Sequence, residues 1–301
     1  MNDFHFLHNA ISGKWVISAP RRAKRPDISH GTEPVCPFCP GREGEEKELY
    51  RIQKSEYQNS NLGNNSDWLV RVIPNKFPFA PIHELVIHSP DHHKNFDELP
   101  VEHVAAILRV YKHRYNEHSH SGQVIIFHNR AQQAGESLPH PHTQIAVIPE
   151  KVTIDAPRLG SVYPQEPEYL FETDQFVLIS PKTSQWPDEV WIAPKKQGRV
   201  FGEIIEREIA DLALVLKHLI LIFDHRHGHE FPFNFFIYSG GDWYLRLIPR
   251  VKSIGGFELA TGIFVNTQLP LETMAFIREY IKEPNIQKIL TQHQAEYHRS
   301  V

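Results

Sequence analysis

At 301 residues, 41% of them apolar and 23% charged, with a formal net charge of −4, the chain reads as an ordinary globular protein with material for two domains. That balance excludes the strongly basic surface of a nucleic-acid binder, and no apolar run approaches the roughly 18 residues that cross a membrane. The first residues, Met1-Asn2-Asp3-Phe4-His5, lack the basic-then-apolar layout of a signal peptide, so a cytoplasmic location is the expectation.

In chain order, Lys14 to Ser18 reads as a short strand, closed by Ala19-Pro20 and the basic run Arg21-Arg22-Ala23-Lys24-Arg25. Both cysteines follow in one Pro/Gly-rich turn, Cys36-Pro37-Phe38-Cys39. Gln53 to Asp67 is polar and rich in Asn and Ser, a loop. Trp68 to Ile73 is a β-branched strand running into Pro74, and Glu84 to His88 is another. From Val101, apolar residues recur at Val104, Ile107, Leu108, Tyr111 and Tyr115, the spacing of an amphipathic helix. Strands at Gln123 to Phe127 and Ile145 to Ile148 close the half.

Glu150 to Pro167 has no periodicity and reads as a linker, after which the order repeats. Phe176 to Ile179 matches Trp68 to Ile73, and Asp188-Glu189-Val190-Trp191-Ile192 matches His83-Glu84-Leu85-Val86-Ile87. A second helix carries Ile205, Ile209, Leu212, Leu216, Ile220 and Phe223 on one face. The strand Phe233 to Tyr238 follows, and Leu245 to Pro249 mirrors Ile145 to Pro149. The pattern predicts an α+β fold of two copies of one strand–strand–helix–strand–strand unit, spanning 1–150 and 151–301. Gly240 and Asp242 stand in the second copy where His140 and His142 stand in the first, which assigns the chemistry to the first.

Two cysteines in one tight turn are not a secreted disulfide scaffold; they fit half of a tetrahedral zinc site, or a redox pair. Two more ligands must come from elsewhere. His140, fixed between Pro139 and Pro141, is one candidate; His92 is another, although spacing alone does not separate it from His93 or His88. With two cysteines and two histidines the shell is closed, and the metal braces the fold. His142 is then free for chemistry. Alternation on an extended segment points it to the same face as His140, with Gln144 on that side too. An imidazole attacks phosphorus well near neutral pH, and a bond from its other nitrogen to a backbone carbonyl would fix the tautomer. Gln144 would donate to a phosphoryl oxygen, while Gly135 and Ser137 would offer donors to a diphosphate.

These residues resemble the galactose-1-phosphate uridylyltransferase family, within the histidine-triad superfamily. The likeness runs through Ala23-Lys24-Arg25-Pro26, Cys36-Pro37-Phe38-Cys39-Pro40-Gly41, Val72 to Pro78, Ser89-Pro90-Asp91-His92, Phe127-His128-Asn129, Gly135-Glu136-Ser137, His140-Pro141-His142-Thr143-Gln144 and Gly256-Phe257-Glu258-Leu259. It implies two tandem histidine-triad-like units, each an antiparallel sheet with a packed helix, and a nucleotidyl-histidine intermediate on His142 assisted by Gln144. It implies one structural zinc on Cys36, Cys39, His92 and His140. Arg22 and Arg25 would lie near the phosphates, Asn75 and Phe77 at the base, and Asn129, Gly135 and Ser137 at the diphosphate. It further implies a homodimer in which Lys252 to Glu258 of the partner completes the sugar-phosphate end.

Three departures qualify the resemblance. Asp242-Trp243-Tyr244-Leu245-Arg246 has no histidine where some relatives carry a second metal, so one metal is expected. Thr143 replaces a glycine, and Leu259 to Ile263 lacks the glutamine used on the hexose. The activity expected is transfer of a nucleoside monophosphate from a nucleotide sugar to a sugar 1-phosphate. A nucleotide-sugar or dinucleoside-polyphosphate phosphorylase or hydrolase is the alternative, and the base is uracil or adenine.

Overall fold

A computed structural model describes residues 4–24, 36–56 and 66–300 of the chain. A hairpin of β1 (His5–His8) and β2 (Trp15–Ser18) comes first, its strands paired from His5↔Ser18 to His8↔Trp15. The chain then forms two compact units, one of 1–94, 106–128 and 137–156, the other of 95–105, 129–136 and 157–301.

The first unit holds β3 (Tyr50–Gln53), β4 (Trp68–Pro74), β5 (Ile82–Ile87), β7 (His142–Ile148) and β6 (Gln123–Arg130) up to His128, paired antiparallel in the order β3-β4-β5-β7-β6. Helix α1 (Val101–His118) connects β5 to β6. Its periodic residues Val104, Ile107, Leu108, Tyr111 and Tyr115 are all buried, as their spacing predicts. Strand β7 begins three residues earlier than its apolar run suggests. Ile87↔His142, Val86↔Thr143 and Leu85↔Gln144 extend the ladder because two flanking strands supply backbone partners that polar side chains do not forfeit. His142 and Gln144 therefore sit on a strand hydrogen-bonded on both sides.

The second unit repeats this order. Past a short helix α2 (Leu159–Val162) come β8 (Leu170–Glu172), β9 (Phe176–Ile179), β10 (Val190–Pro194), α3 (Glu206–His227), β11 (Phe233–Ile237) and β12 (Leu245–Pro249), paired as β8-β9-β10-β12-β11. The copies thus share one topology, the two tandem antiparallel units implied by the resemblance. The stretch read as a linker is partly packed, since Leu159 joins the buried cluster of Val177, Ile179, Trp191 and Tyr244. Ile205, expected on the buried face of α3, is 52% exposed. The Glu208 carboxylate accepts its backbone N–H at 2.9 Å, which makes Ile205 the residue before the helix and not its first turn. Helices α4 (Gly256–Thr261), α5 (Pro270–Tyr280) and α6 (Glu283–Ser300) follow, with Ile286 and Ile289 of α6 packed on Leu221 and Ile222 of α3. Among the described residues no helix is long and apolar enough to cross a membrane.

Where the second copy lacks the histidines, aromatic rings stack. Tyr244 lies 4.3 Å from Trp191 and 5.1 Å from Tyr238, near-parallel to both. The same Tyr238 ring leaves no room over Gly240, where a Cβ would meet it at 2.7 Å.

A buried ion pair ties helix to sheet in the first unit. Glu84 on β5 accepts from Arg114 Nε at 2.8 Å and Nη2 at 2.6 Å, with His118 Nε2 at 2.8 Å. Burial pushes the Glu84 carboxyl up, but the bonds from His118 and Arg114 outweigh it and hold the group below the ordinary glutamate range. Its stabilisation is complete above the unfolded glutamate pKa and is lost as pH falls through the lower folded value. Glu84→Gln leaves Arg114 buried without its counter-ion. The expected cost is about 3 kcal/mol, read as a shift in urea midpoint at pH 7 that shrinks toward pH 3.

Candidate active site

The Cys36–Cys39 turn is anchored by the residue between its sulfurs. Phe38, 2% exposed, packs with Trp68, Ile73, Leu85 and Ile87, and its ring lies edge-on 5.9 Å from His140 and 5.4 Å from His142. Downstream, Glu43 accepts from Trp68 Nε1 at 2.8 Å and Glu48 from Arg71 Nε at 2.6 Å, which pins the turn's exit to β4.

Against this turn the structure gathers four donors. His92 Nδ1 lies 3.2 Å from Cys39 Sγ, and His140 Nδ1 lies 3.6 Å from Cys36 Sγ and 3.7 Å from Cys39 Sγ. All four ligand atoms fall within 4.8 Å of one another, a group able to hold a metal ion. The choice among histidines resolves on geometry: His93 is exposed, and His88 Nε2 is turned 2.8 Å from Thr143 Oγ1. His140 Nε2 donates to Ser89 O at 2.9 Å, leaving the lone pair on Nδ1, toward the sulfurs. Burial pushes its pKa down to about 4, so the ring is neutral as a ligand must be. Burial and the neighbouring Cys36 push the Cys39 thiol up to about 11. Sulfur there ionises when a cation's charge is beside it.

Two residues on, the His142 ring is 4% exposed and Nδ1 donates to His140 O at 2.9 Å. The proton therefore sits on Nδ1 and the lone pair on Nε2. The strand carrying it is braced from behind by groups that sequence reasoning did not single out. His128 Nδ1 donates to His142 O at 3.0 Å, and Thr143 Oγ1 accepts from Tyr111 OH at 2.5 Å. Thr143, the departure from glycine, is thus fully engaged between helix and sheet.

Gln144 Oε1 lies 3.0 Å from His83 Nε2. His83 Nδ1 accepts the Phe79 N–H at 3.3 Å, and Nε2 also lies 3.2 Å from Asn75 Nδ2, so the ring bridges Asn75 and the Gln144 carbonyl. The Gln144 amide is thereby oriented with its N–H groups away from His83. Asn75 Oδ1 accepts the Phe77 N–H at 2.9 Å, and Arg22 Nη1 donates to Phe77 O at 2.8 Å with its guanidinium 5.0 Å over the Phe79 ring. Arg22, Asn75 and Phe77 are thus interlinked with Gln144 through His83. Period-2 alternation locates Gln144; nothing in the sequence flags His83, which lies 61 positions away.

Other expected residues are placed individually. Arg25 lies outside the described residues. Ser137 is half-buried in the first unit. Asn129 and Gly135 belong to the second unit, where Asn129 Oδ1 accepts from Asn234 Nδ2 at 2.8 Å and Gly135 turns the chain at φ +88°. Lys252 Nζ donates to Glu258 Oε1 at 3.4 Å and to Val265 O, also within the second unit.

Comparison with known proteins places this geometry among relatives. The family described as galactose-1-phosphate uridyl transferase, N-terminal domain, matches residues 81–147, the stretch from β5 to β7. ADP-glucose phosphorylase of Arabidopsis thaliana is 26% identical over 89% of this chain and 91% of its own. Galactose-1-phosphate uridylyltransferase of Thermotoga maritima is 24% identical over 90% of this chain and 97% of its own. In fold, the crystal structure of the Arabidopsis thaliana ADP-glucose phosphorylase with bound ADP-glucose superposes with a TM-score of 0.71, at 24% identity, covering 92% of this chain and 98% of that one.

Proposed function

From a chain of the galactose-1-phosphate uridylyltransferase family, we propose nucleotidyl transfer through His142. The observation that carries this reading is the hydrogen bond from His142 Nδ1 to His140 O, which leaves the Nε2 lone pair as the nucleophile. Nε2 attacks the α-phosphorus of a nucleoside diphosphate sugar. The P–N bond forms as the bond from that phosphorus to the bridging oxygen breaks, and the sugar 1-phosphate departs with that oxygen. A phosphate oxygen of the acceptor then displaces Nε2 and restores the imidazole. Gln144, oriented by His83, donates to the non-bridging oxygen in both steps. Arg22, Asn75, Phe77, Ser137, Asn129 and Gly135, with Arg25, are assigned to the nucleotide and its diphosphate.

Two acceptors share the first step, a sugar 1-phosphate and inorganic phosphate. The second is favoured by the relative named for ADP-glucose phosphorolysis and by the absence of glutamine between Leu259 and Ile263. Turnover of a nucleotide sugar is expected to require one of these acceptors, followed by chromatography of the nucleotide products. Release of nucleoside monophosphate at equal rate with no acceptor present would overturn the reading. His83→Ala is expected to lower kcat about 10-fold or more with KM little changed, because the amide it orients acts on developing charge. His83→Gln, which keeps a donor, should recover part of it.

The metal we infer is zinc. Zn–S bonds of about 2.3 Å and Zn–N bonds of about 2.0 Å place tetrahedral ligands about 3.3–3.8 Å apart. The Cys–His pairs here span 3.2 to 3.7 Å. When bound, the ion supplies a brace for the strand entrance, with no open position for substrate. A homodimer completed by Lys252 and Glu258 is supported by the exposed Phe257, Leu259 and Ile263, at 54%, 76% and 61%.

A further inference from the structure

We propose a second metal site in the second unit, at which Asp224, His229 and His293 hold a divalent first-row transition cation. It is distinct from the cysteine group and uses no residue of the Asp242–Arg246 stretch, whose lack of histidine underlies the expectation of one metal. Asp224 lies near the end of α3, His229 just beyond it and His293 on α6. Gly228, at φ +96°, makes the left-handed turn that brings His229 back beside Asp224.

The distances are those of ligands around one ion. Metal–nitrogen and metal–oxygen bonds of about 2.0–2.2 Å set tetrahedral ligand atoms about 3.3–3.6 Å apart. Asp224 Oδ2 lies 3.1 Å from His293 Nε2 and 3.4 Å from His229 Nδ1. The two rings meet edge to face, 5.1 Å apart at 82°, nearly the arrangement of His92 and His140 at the cysteine group, 5.2 Å and 80°.

Further charged groups lie behind these three. His293 turns its other nitrogen, Nδ1, toward Asp97 Oδ2 at 3.7 Å, longer than a hydrogen bond but on the side from which a carboxylate orients a ligating ring. The Asp97 side chain is 0% exposed, yet neither of its oxygens has a hydrogen-bond partner, a cost that a purely structural ion-pair cluster leaves unmet. Arg130 Nη1 faces the outer oxygens, at 3.4 Å from Asp224 Oδ1 and 3.7 Å from Asp97 Oδ1, so the Oδ2 atoms remain for the histidine side. Three protein ligands leave a fourth position, and Asp224, His229 and His293 line a cavity of about 350 Å³ that gives it access. Two imidazoles and one carboxylate, with no sulfur, suit zinc or its first-row neighbours over magnesium or calcium.

The test is metal content of the full chain, loaded with zinc or with cobalt(II), desalted and measured by elemental analysis. Two equivalents are expected in the wild type. Cys36→Ser should keep one, its cobalt spectrum free of sulfur-to-metal charge transfer. His229→Ala is a mild change at a side chain 44% exposed and should keep only the sulfur-bound ion. Asp97→Asn should weaken the second equivalent about 10- to 100-fold without abolishing it. A wild type that never exceeds one equivalent overturns the proposal. So does a second equivalent held with unchanged affinity by both His229→Ala and His293→Gln, and then Asp97, Asp224 and Arg130 form a salt network only.

Discussion

His142→Ala is expected to lose turnover by about 10⁴-fold or more and to form no nucleotide adduct, while keeping its metal and its melting temperature. The separation follows from the bonding. The His142 ring packs on Phe38 and donates to one carbonyl, whereas strand β7 is held by its ladder to β5 and β6 and by Tyr111 and His128. Removing the ring takes away the proposed nucleophile and leaves these other ties intact. The measurement is retention of label from an α-phosphorus-labelled nucleotide sugar on denatured protein, beside elemental analysis. Label retained by the alanine variant, or metal lost with the ring, would refute the division of labour between His140 and His142.

Cys36→Ser is expected to do the reverse and damage the fold first. Zinc bound by four protein ligands is folding free energy, about 10–16 kcal/mol in isolated zinc-finger peptides. Here Phe38, Glu43 and Arg71 already fasten the turn, so a loss of about 4 kcal/mol and a melting temperature lower by about 10 °C are the expectation. Activity should fall with it, because His140 carries both the ligand nitrogen and the carbonyl that sets the His142 tautomer. Calorimetry with and without a chelator checks the link: the wild type should shift on chelation and the variant should not shift at the cysteine group.

Much of this was legible in residue order. Repeated hydrophobic periodicity gave both copies of the unit, and alternation around Pro139 and Pro141 set the two histidines apart, because those signals are local. What escaped was carried by contacts distant in sequence. His83 on Gln144 and Tyr111 on Thr143 join strands and a helix through single hydrogen bonds that leave no periodic trace. Spacing did not separate His92 from His93; the resemblance implied His92, and the turn after β5 places its Nδ1 3.2 Å from Cys39 Sγ. The Asp224, His229 and His293 set draws on α3 and a C-terminal helix that no motif connects.

The crowding over Gly240 bears on what could be engineered. A histidine at that position would drive its Cβ into the Tyr238 ring, and Asp242 at φ +59° has left the extended backbone that His142 keeps in its strand. Grafting the two imidazoles into the later copy would therefore not yield a bifunctional polypeptide. Both the Tyr238 ring and the turn at Asp242 would have to move first.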